Sequence, residues 1–263
     1  MRHSNLMVSA TAAVGAIFGI SAASAADFPA TYTKAPPPIL AAVYEWGGFY
    51  VGANGGWGGD QKCWNLNSDL RGPVANGDIG CSRESGGVAG GQIGYRWQAS
   101  AFVFGLEAQG DWTNLKSSSV SLRNRSATNQ SQVNGLGLFT GQIGYAWNNV
   151  LFYLKGGAAV AADKYNGLDT AAGIAFDQAT EKRWGGTVGA GVEFAFAPNW
   201  SVALEYDHLF MGNANDTFVS TGMGVNNPAA AGVADRIINI RQDVDMATAR
   251  VNYRFGGPVV TRY

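Results

Sequence analysis

From about Gly47 almost to the C-terminus, apolar and polar positions alternate with a period of two, the pattern of β-strands that carry one apolar face. In "GLFTGQIGYAW", Phe139, Gly141, Ile143, Tyr145 and Trp147 share a face opposite Leu138, Thr140, Gln142, Gly144 and Ala146. Asn148 and Asn149 then signal a tight turn, after which Phe152, Leu154 and Val160 lie opposite Tyr153 and Lys155. A second hairpin repeats the layout. Ile93, Tyr95 and Trp97 oppose Gln92 and Arg96, a turn follows near Ala99 and Ser100, and Phe102, Phe104 and Leu106 oppose Glu107, Gln109 and Asp111. A third sets Val192, Phe194 and Phe196 against Glu193, turns at Pro198 and Asn199, and sets Trp200, Val202, Leu204 and Tyr206 against Glu205 and Asp207. One strand precedes these hairpins (Gly48 to Trp57) and one follows (Asp243 to Phe255), so the pattern predicts eight strands. Tight turns alternate with long polar connections, roughly Gly58 to Glu84, Lys116 to Gln132, Asn166 to Lys182 and Met211 to Arg241.

The phrase "GQIGYRW" (Gly91 to Trp97) returns as "GQIGYAW" (Gly141 to Trp147), a repeat that marks one supersecondary unit used twice. Strand length points to the solvent. These strands approach the roughly 9–11 residues needed to cross a bilayer when tilted; sandwich strands commonly have about five or six. Aromatic residues collect beside the tight turns on the apolar face: Tyr95, Trp97, Phe102, Tyr145, Trp147, Phe152, Phe196 and Trp200, with Tyr253 and Phe255 in the last strand. That is the arrangement of a membrane-interface belt, and Trp57, Trp112 and Trp184 suggest a weaker belt at the other end. Charges within the strands share the opposite face: Arg96, Glu107, Lys155, Glu193, Glu205, Asp207, Arg250 and Arg254. A sheet in lipid must close on itself, which makes that face a lumen. The expected fold is all-β: an eight-stranded antiparallel up-and-down transmembrane β-barrel with short periplasmic turns and long extracellular loops. Side chains nearly fill a barrel of that size.

Composition agrees, since charged residues make up only 14% of the chain, against about 25% in ordinary soluble domains. The net charge of −1 gives no electrostatic reason to expect nucleic acid. Residues 1–25 read as a secretory signal peptide: Arg2 and His3, an apolar run, then the small-residue site Ala23 to Ala25. Residues 26–46, with three consecutive prolines, read as a periplasmic linker; 47–255 as the barrel; and 256–263, containing Pro258, as a C-terminal periplasmic tail. In an exported chain, Cys63 and Cys81 read as one disulfide inside the first long connection.

Motifs for chemistry are sparse. His208 shares the lipid-facing side with Tyr206, and a catalytic role would need a nucleophile in reach. No G-x-S-x-G elbow is present, and "GGVAGGQIG" (Gly86 to Gly94) precedes no helix, which excludes a nucleotide loop. No catalytic, cofactor or metal site is therefore assigned. Inward charges either select ions or pair with one another; because both signs are present, a paired plug is the preferred reading.

"WGGFYVGANGGW" (Trp46 to Trp57), the two "GQIGY" phrases and the closing "ARVNYRF" (Ala249 to Phe255) resemble the small outer-membrane β-barrel proteins of alphaproteobacteria, the porin-family or immunogenic outer-membrane proteins. The resemblance implies a multi-pass protein of the cell outer membrane, surrounded by its lipid and lipopolysaccharide. It also implies insertion by the barrel-assembly machinery, which reads a closing aromatic that Phe255 matches. The function expected is a non-enzymatic, structural or surface-interaction role in the envelope, with a surface ligand that the sequence does not identify. A narrow small-solute channel is the alternative, and an outer-membrane lipid-modifying enzyme a distant third.

Overall fold

The computed structural model describes residues 44–75, 77–223 and 229–256; the expected signal peptide, most of the linker and nearly all of the tail lie outside the described residues. Alternating residues build nine strands: β1 (Gly48–Asp69), a two-residue β2 (Gly72–Pro73), β3 (Asp78–Ala99), β4 (Phe102–Val120), β5 (Ala127–Trp147), β6 (Val150–Asp169), β7 (Ala175–Ala197), β8 (Trp200–Ser220) and β9 (Ala234–Arg254). The eight long strands pair antiparallel with their sequence neighbours, and β1 also pairs with β9, closing the ring. β2 only folds back on the end of β1. The expected eight-stranded barrel is therefore present. Its hairpin turns beside the aromatic belt are tight. Ser100 and Asn148 take positive φ values of 58° and 54°, the left-handed backbone that the first residue of such a turn adopts.

The long strands have 19 to 23 residues, about twice the expected length. Most of the polar segments read as connections are strand, and only 121–126, 170–174 and 221–233, with the region around β2, separate them at that end. Above the lipid the outer face meets water, so it need not be apolar. The contrast that reveals a strand inside a bilayer disappears while the ladder continues. At roughly 3.3 Å per residue and a tilt near 40°, twenty residues rise about 50 Å, against an apolar band of about 25 Å. The highly exposed Trp57, Trp112 and Trp184 mark the upper edge of that band. Beyond it the β7–β8 ladder opens between the Gln178–Val219 and Gly186–Phe210 pairs, an opening that lipid would not tolerate. Arg183 reaches across it, donating to the Ile240 carbonyl at 2.9 Å and pairing with Glu181 at 2.6 Å and Asp216 at 3.1 Å.

The inner face is less polar than the alternation suggests. At the periplasmic end, Trp46 packs with Val103, Leu151 and Tyr153. A second layer holds Leu115, Val133, Leu138, Leu209, Val244 and Met246, all 0–1% exposed. A third, near the outer end, holds Trp64, Tyr165, Phe218, Ile238 and Ile240.

Cys63 and Cys81 form a disulfide with Cα atoms 4.0 Å apart. They are register partners on β1 and β3, so the bond ties two strands together above the membrane instead of capping a loop as expected. A ring spanning 18 residues stabilises by roughly 3 kcal/mol in the chain-entropy model. The lipid-embedded ladder lies below it. Reduction should therefore leave the heat-modifiable mobility of the barrel in SDS gels unchanged while speeding protease cleavage between residues 64 and 80. Loss of the folded band on reduction would contradict this placement.

At the closing seam the Phe255 amide donates to the Phe49 carbonyl at 2.8 Å, and their rings lie 5.6 Å apart. Tyr253 packs edge-on against Trp200 at 5.0 Å. Deleting residues 256–263 should leave a membrane-inserted, heat-modifiable barrel, whereas Tyr253→Ser with Phe255→Ser should impair insertion. The opposite pair of results would move the closing signal into the tail.

Candidate functional site

Period-two alternation on eight strands sends every second side chain into the lumen, where seven of the eight expected charges meet. Arg250 bridges Glu107 at 3.0 Å and Glu205 at 2.8 Å. Lys155 reaches Glu205 at 2.6 Å, Asp207 at 3.2 Å and Glu107 at 3.6 Å. The Tyr50 and Tyr153 hydroxyls donate to Glu107 at 2.7 Å and to Glu205 at 2.6 Å. Nearer the periplasm, Arg96 pairs with Glu193 at 2.8 Å, which also accepts from Ser201 and Asn252. The Arg96 guanidinium lies 4.4 Å from the Tyr50 ring centre. Arg254 stands apart. It donates to the Gly47 and Pro198 carbonyls, both at 3.2 Å, and covers the Tyr44 ring at 5.2 Å. It lies at the lower rim, one row past the last carboxylate, so shared parity alone does not bring it into the network.

The repeated glycine phrase has a packing reason here. A Cβ on Gly94 would stand 2.5 Å from the Tyr50 ring, and one on Gly191 would stand 2.4 Å from the Tyr153 ring. Each glycine makes room for a tyrosine that crosses the lumen wall to a carboxylate. In the second copy of the phrase, a Cβ on Gly144 would stand 2.7 Å from the Phe152 carbonyl oxygen.

A second buried network, missed in the sequence, lies above the middle apolar layer. Lys62 contacts Asp163 at 2.9 Å, Asp60 at 3.0 Å and Glu84 at 3.7 Å, and it donates to Ser131 at 2.8 Å. Gln242 donates to Asp60 at 2.9 Å. The signal was available: Asp60 and Lys62 continue the inward parity of β1. It was hidden because this stretch read as a connection.

The expected interface aromatics lie on the outer wall. Tyr95, Trp97, Phe102, Tyr145, Trp147, Phe152, Phe196, Trp200 and Phe255 are exposed there, and Tyr253 is half-buried. His208 also faces outward, and it has a partner. Its Nδ1 lies 2.6 Å from Asp245 Oδ1, which accepts from the Tyr206 hydroxyl at 2.6 Å. Asp245 lies on the outward stripe of β9, opposite Gly59 and one outward row above the Trp57–Ala247 pair, and its break in the apolar run of that stripe was the signal for it. Among the described residues no group of His, Cys, Asp and Glu could hold a metal ion.

An aromatic-girdled closed ring with a charged lumen points to one kind of protein, and residues 10–255 match the outer membrane protein beta-barrel domain. The chain belongs to this family. It is a β-barrel of the bacterial outer membrane. It is 28% identical over 211 residues to the 31 kDa outer-membrane immunogenic protein of Brucella melitensis, covering 78% of this chain and 87% of that one. It is 32% identical over 166 residues to a 22 kDa outer membrane protein of Rhizobium leguminosarum, covering 62% and 63%. Among solved structures, the outer membrane protease OmpT of Escherichia coli aligns over 79% of this chain and 97% of its own, with 11% identity and a TM-score of 0.47.

Asp60 lies three residues beyond Trp57, above the membrane. Burial pushes its carboxyl up to about 7, with Lys62 opposing the shift and Glu84 and Asp163 adding to it. One ammonium cannot balance three buried carboxylates, so one of them keeps a proton. A carboxyl held more tightly protonated when folded contributes stability that is fully present below its unfolded value near 3.8 and is lost as pH rises through about 7. Asp60→Asn should therefore flatten the decline in stability between about pH 4 and 7, read from urea unfolding of protein in detergent. An unchanged pH slope would assign the proton elsewhere.

Proposed function

We propose that this protein is a closed, non-enzymatic barrel that reinforces the outer membrane and displays a surface to the exterior. The supporting observation is the stacking inside the lumen: an apolar layer around Leu115, Leu138 and Leu209 lies between two buried ion networks, centred on Arg250 and on Lys62. Ions need a continuous wetted path, and apolar constrictions shut one by dewetting. Seven of the eight expected inward charges are committed to one another, not to a permeating solute.

The His208–Asp245 pair does not favour an enzyme. Its cross-strand neighbour on β7 is Val188, and the outward residues beside Asp245 on β9 are Asp243 and Ala247. None of these supplies a hydroxyl or thiol nucleophile, and Tyr206 already donates to Asp245. Insertion by the assembly machinery through Phe255, and a surface ligand on the strands above the membrane, complete this reading.

Folded protein in planar bilayers should show small or rare conductance, and a steady, large, ohmic conductance would promote the channel reading. Arg250→Ala should lower stability by about 3–5 kcal/mol, because Lys155 alone would then face the buried carboxylates Glu107, Glu205 and Asp207. Unfolding in urea measures this loss.

A further inference from the structure

The outer face of β4–β7 changes character where lipid gives way to water. Three ladder rows cross these four strands. The lowest runs Gly110, Gly137, Val160 and Trp184, and the next runs Trp112, Gly135, Ala162 and Lys182. The third, above a bulge, runs Lys116, Gln132, Lys164 and Thr180. The lower two rows enclose an open cleft of about 660 Å³ walled by Trp112 and Trp184. Of the three glycines in its floor, packing within the barrel restricts only Gly137, where a Cβ would stand 3.0 Å from Val160 Cγ1. A Cβ on Gly110 would meet nothing within 4 Å, and one on Gly135 would make only ordinary contact at 3.4 Å. Gly94, by contrast, has no room for one. A glycine that the fold does not need, on a strand where it weakens the ladder, marks a close approach from outside.

Lys116, Lys164 and Lys182 lie over this cleft, and none of the three has a hydrogen-bond or ion-pair partner among the described residues. The carboxylates nearest in sequence on these strands turn inward: Asp111 and Asp163 are buried, and Glu181 pairs with Arg183. Lys116 and Lys164 flank Gln132, about 10 Å apart across two ladder spacings, and Lys182 is diagonal to Lys164. The opposite wall is mixed at this height: Asp245 holds His208 and Asp243 pairs with Arg241.

We propose that this face is a binding site for lipopolysaccharide of the outer leaflet. Its acyl chains would fill the cleft between Trp112 and Trp184, and its anionic headgroup would rest on Lys116, Lys164 and Lys182. The location supplies hydrocarbon, which fills any apolar cleft in a bilayer. The charge selects an anionic lipid, and the geometry selects among anionic lipids. Three cations spread over three strands, on a face three ladder spacings or about 14 Å wide, match a headgroup that carries several anionic groups, whereas phosphatidylglycerol offers one.

The test uses the folded full-length barrel in detergent, titrated with dye-labelled lipopolysaccharide whose lipid A carries two phosphates. Replacing all three lysines (Lys116→Gln, Lys164→Gln, Lys182→Gln) should weaken binding about 100-fold, near five-fold per charge, and reduce its salt dependence. Gly110→Phe with Gly135→Phe should fill the cleft and weaken binding without changing the salt dependence. All five positions lie on the outer surface, and heat-modifiable mobility verifies the fold of each variant. Enzymatically dephosphorylated lipopolysaccharide should bind the wild type as weakly as intact lipopolysaccharide binds the triple variant. Unchanged affinity in the lysine variant overturns the site. Unchanged affinity in the cleft variant overturns the acyl seat, and equal affinity for phosphatidylglycerol overturns the choice of lipid.

Discussion

Lipid offers a peptide group no hydrogen-bonding partner. Every backbone donor and acceptor within the bilayer must therefore be paired inside the sheet, and β1 pairs with β9 so that no edge remains. The rest of the architecture depends on that closure. Eight strands set a lumen too narrow to stay open unless small side chains line it. Here large ones line it, so the interior packs as a core. Outside, the same alternation exposes Phe, Leu, Ile and Trp to lipid. The barrel is inverted relative to a soluble domain only on its outer wall; its interior obeys ordinary rules of burial and pairing.

Those rules explain the stacking. A buried charge is costly unless it is paired and hydrogen-bonded, and each lumen cation has two or more acceptors. Arg250 has Glu107 and Glu205, and Lys62 has Asp60, Asp163 and Ser131. Tyrosine hydroxyls satisfy further carboxylate oxygens. Replacing such networks with apolar groups is often neutral or stabilising in other proteins, so their net contribution to stability is small. Their geometry is specific, however. Glu107 meets Arg250 only if β4 and β9 hold their present registers, and a slip of one residue would turn each charge out into lipid.

Much of this was legible in the alternation. The hairpins around Trp97, Trp147 and Phe196, the aromatic belt and the inward parity of Arg96, Glu107, Lys155, Glu193, Glu205, Asp207 and Arg250 all follow from period-two reading inside the membrane band. There, lipid on one side and a packed lumen on the other force a contrast between faces. Above Trp57 that force is absent, so the upper halves of the strands read as connections, and Asp60, Lys62, Glu84 and Asp163 were overlooked with them. Arg254 was misplaced because parity gives the face of a residue but not its height. The apolar layer around Leu115 and Leu209 needed three-dimensional stacking to appear, since each strand contributes only one or two of its members.

The protruding strands also determine what the exterior encounters. Above Trp57, Trp112 and Trp184 the molecule continues as a hydrogen-bonded wall pinned by the Cys63–Cys81 bond, with short links at its crest. On such a wall, neighbours in space come from different strands: Lys116, Gln132 and Lys164 stand side by side although 48 positions separate the first from the last. A contiguous peptide copied from this region displays every second side chain that the intact wall conceals and lacks the lateral neighbours that the wall supplies. The recognisable unit on the cell surface is a patch assembled across strands, which exists only while the sheet is folded.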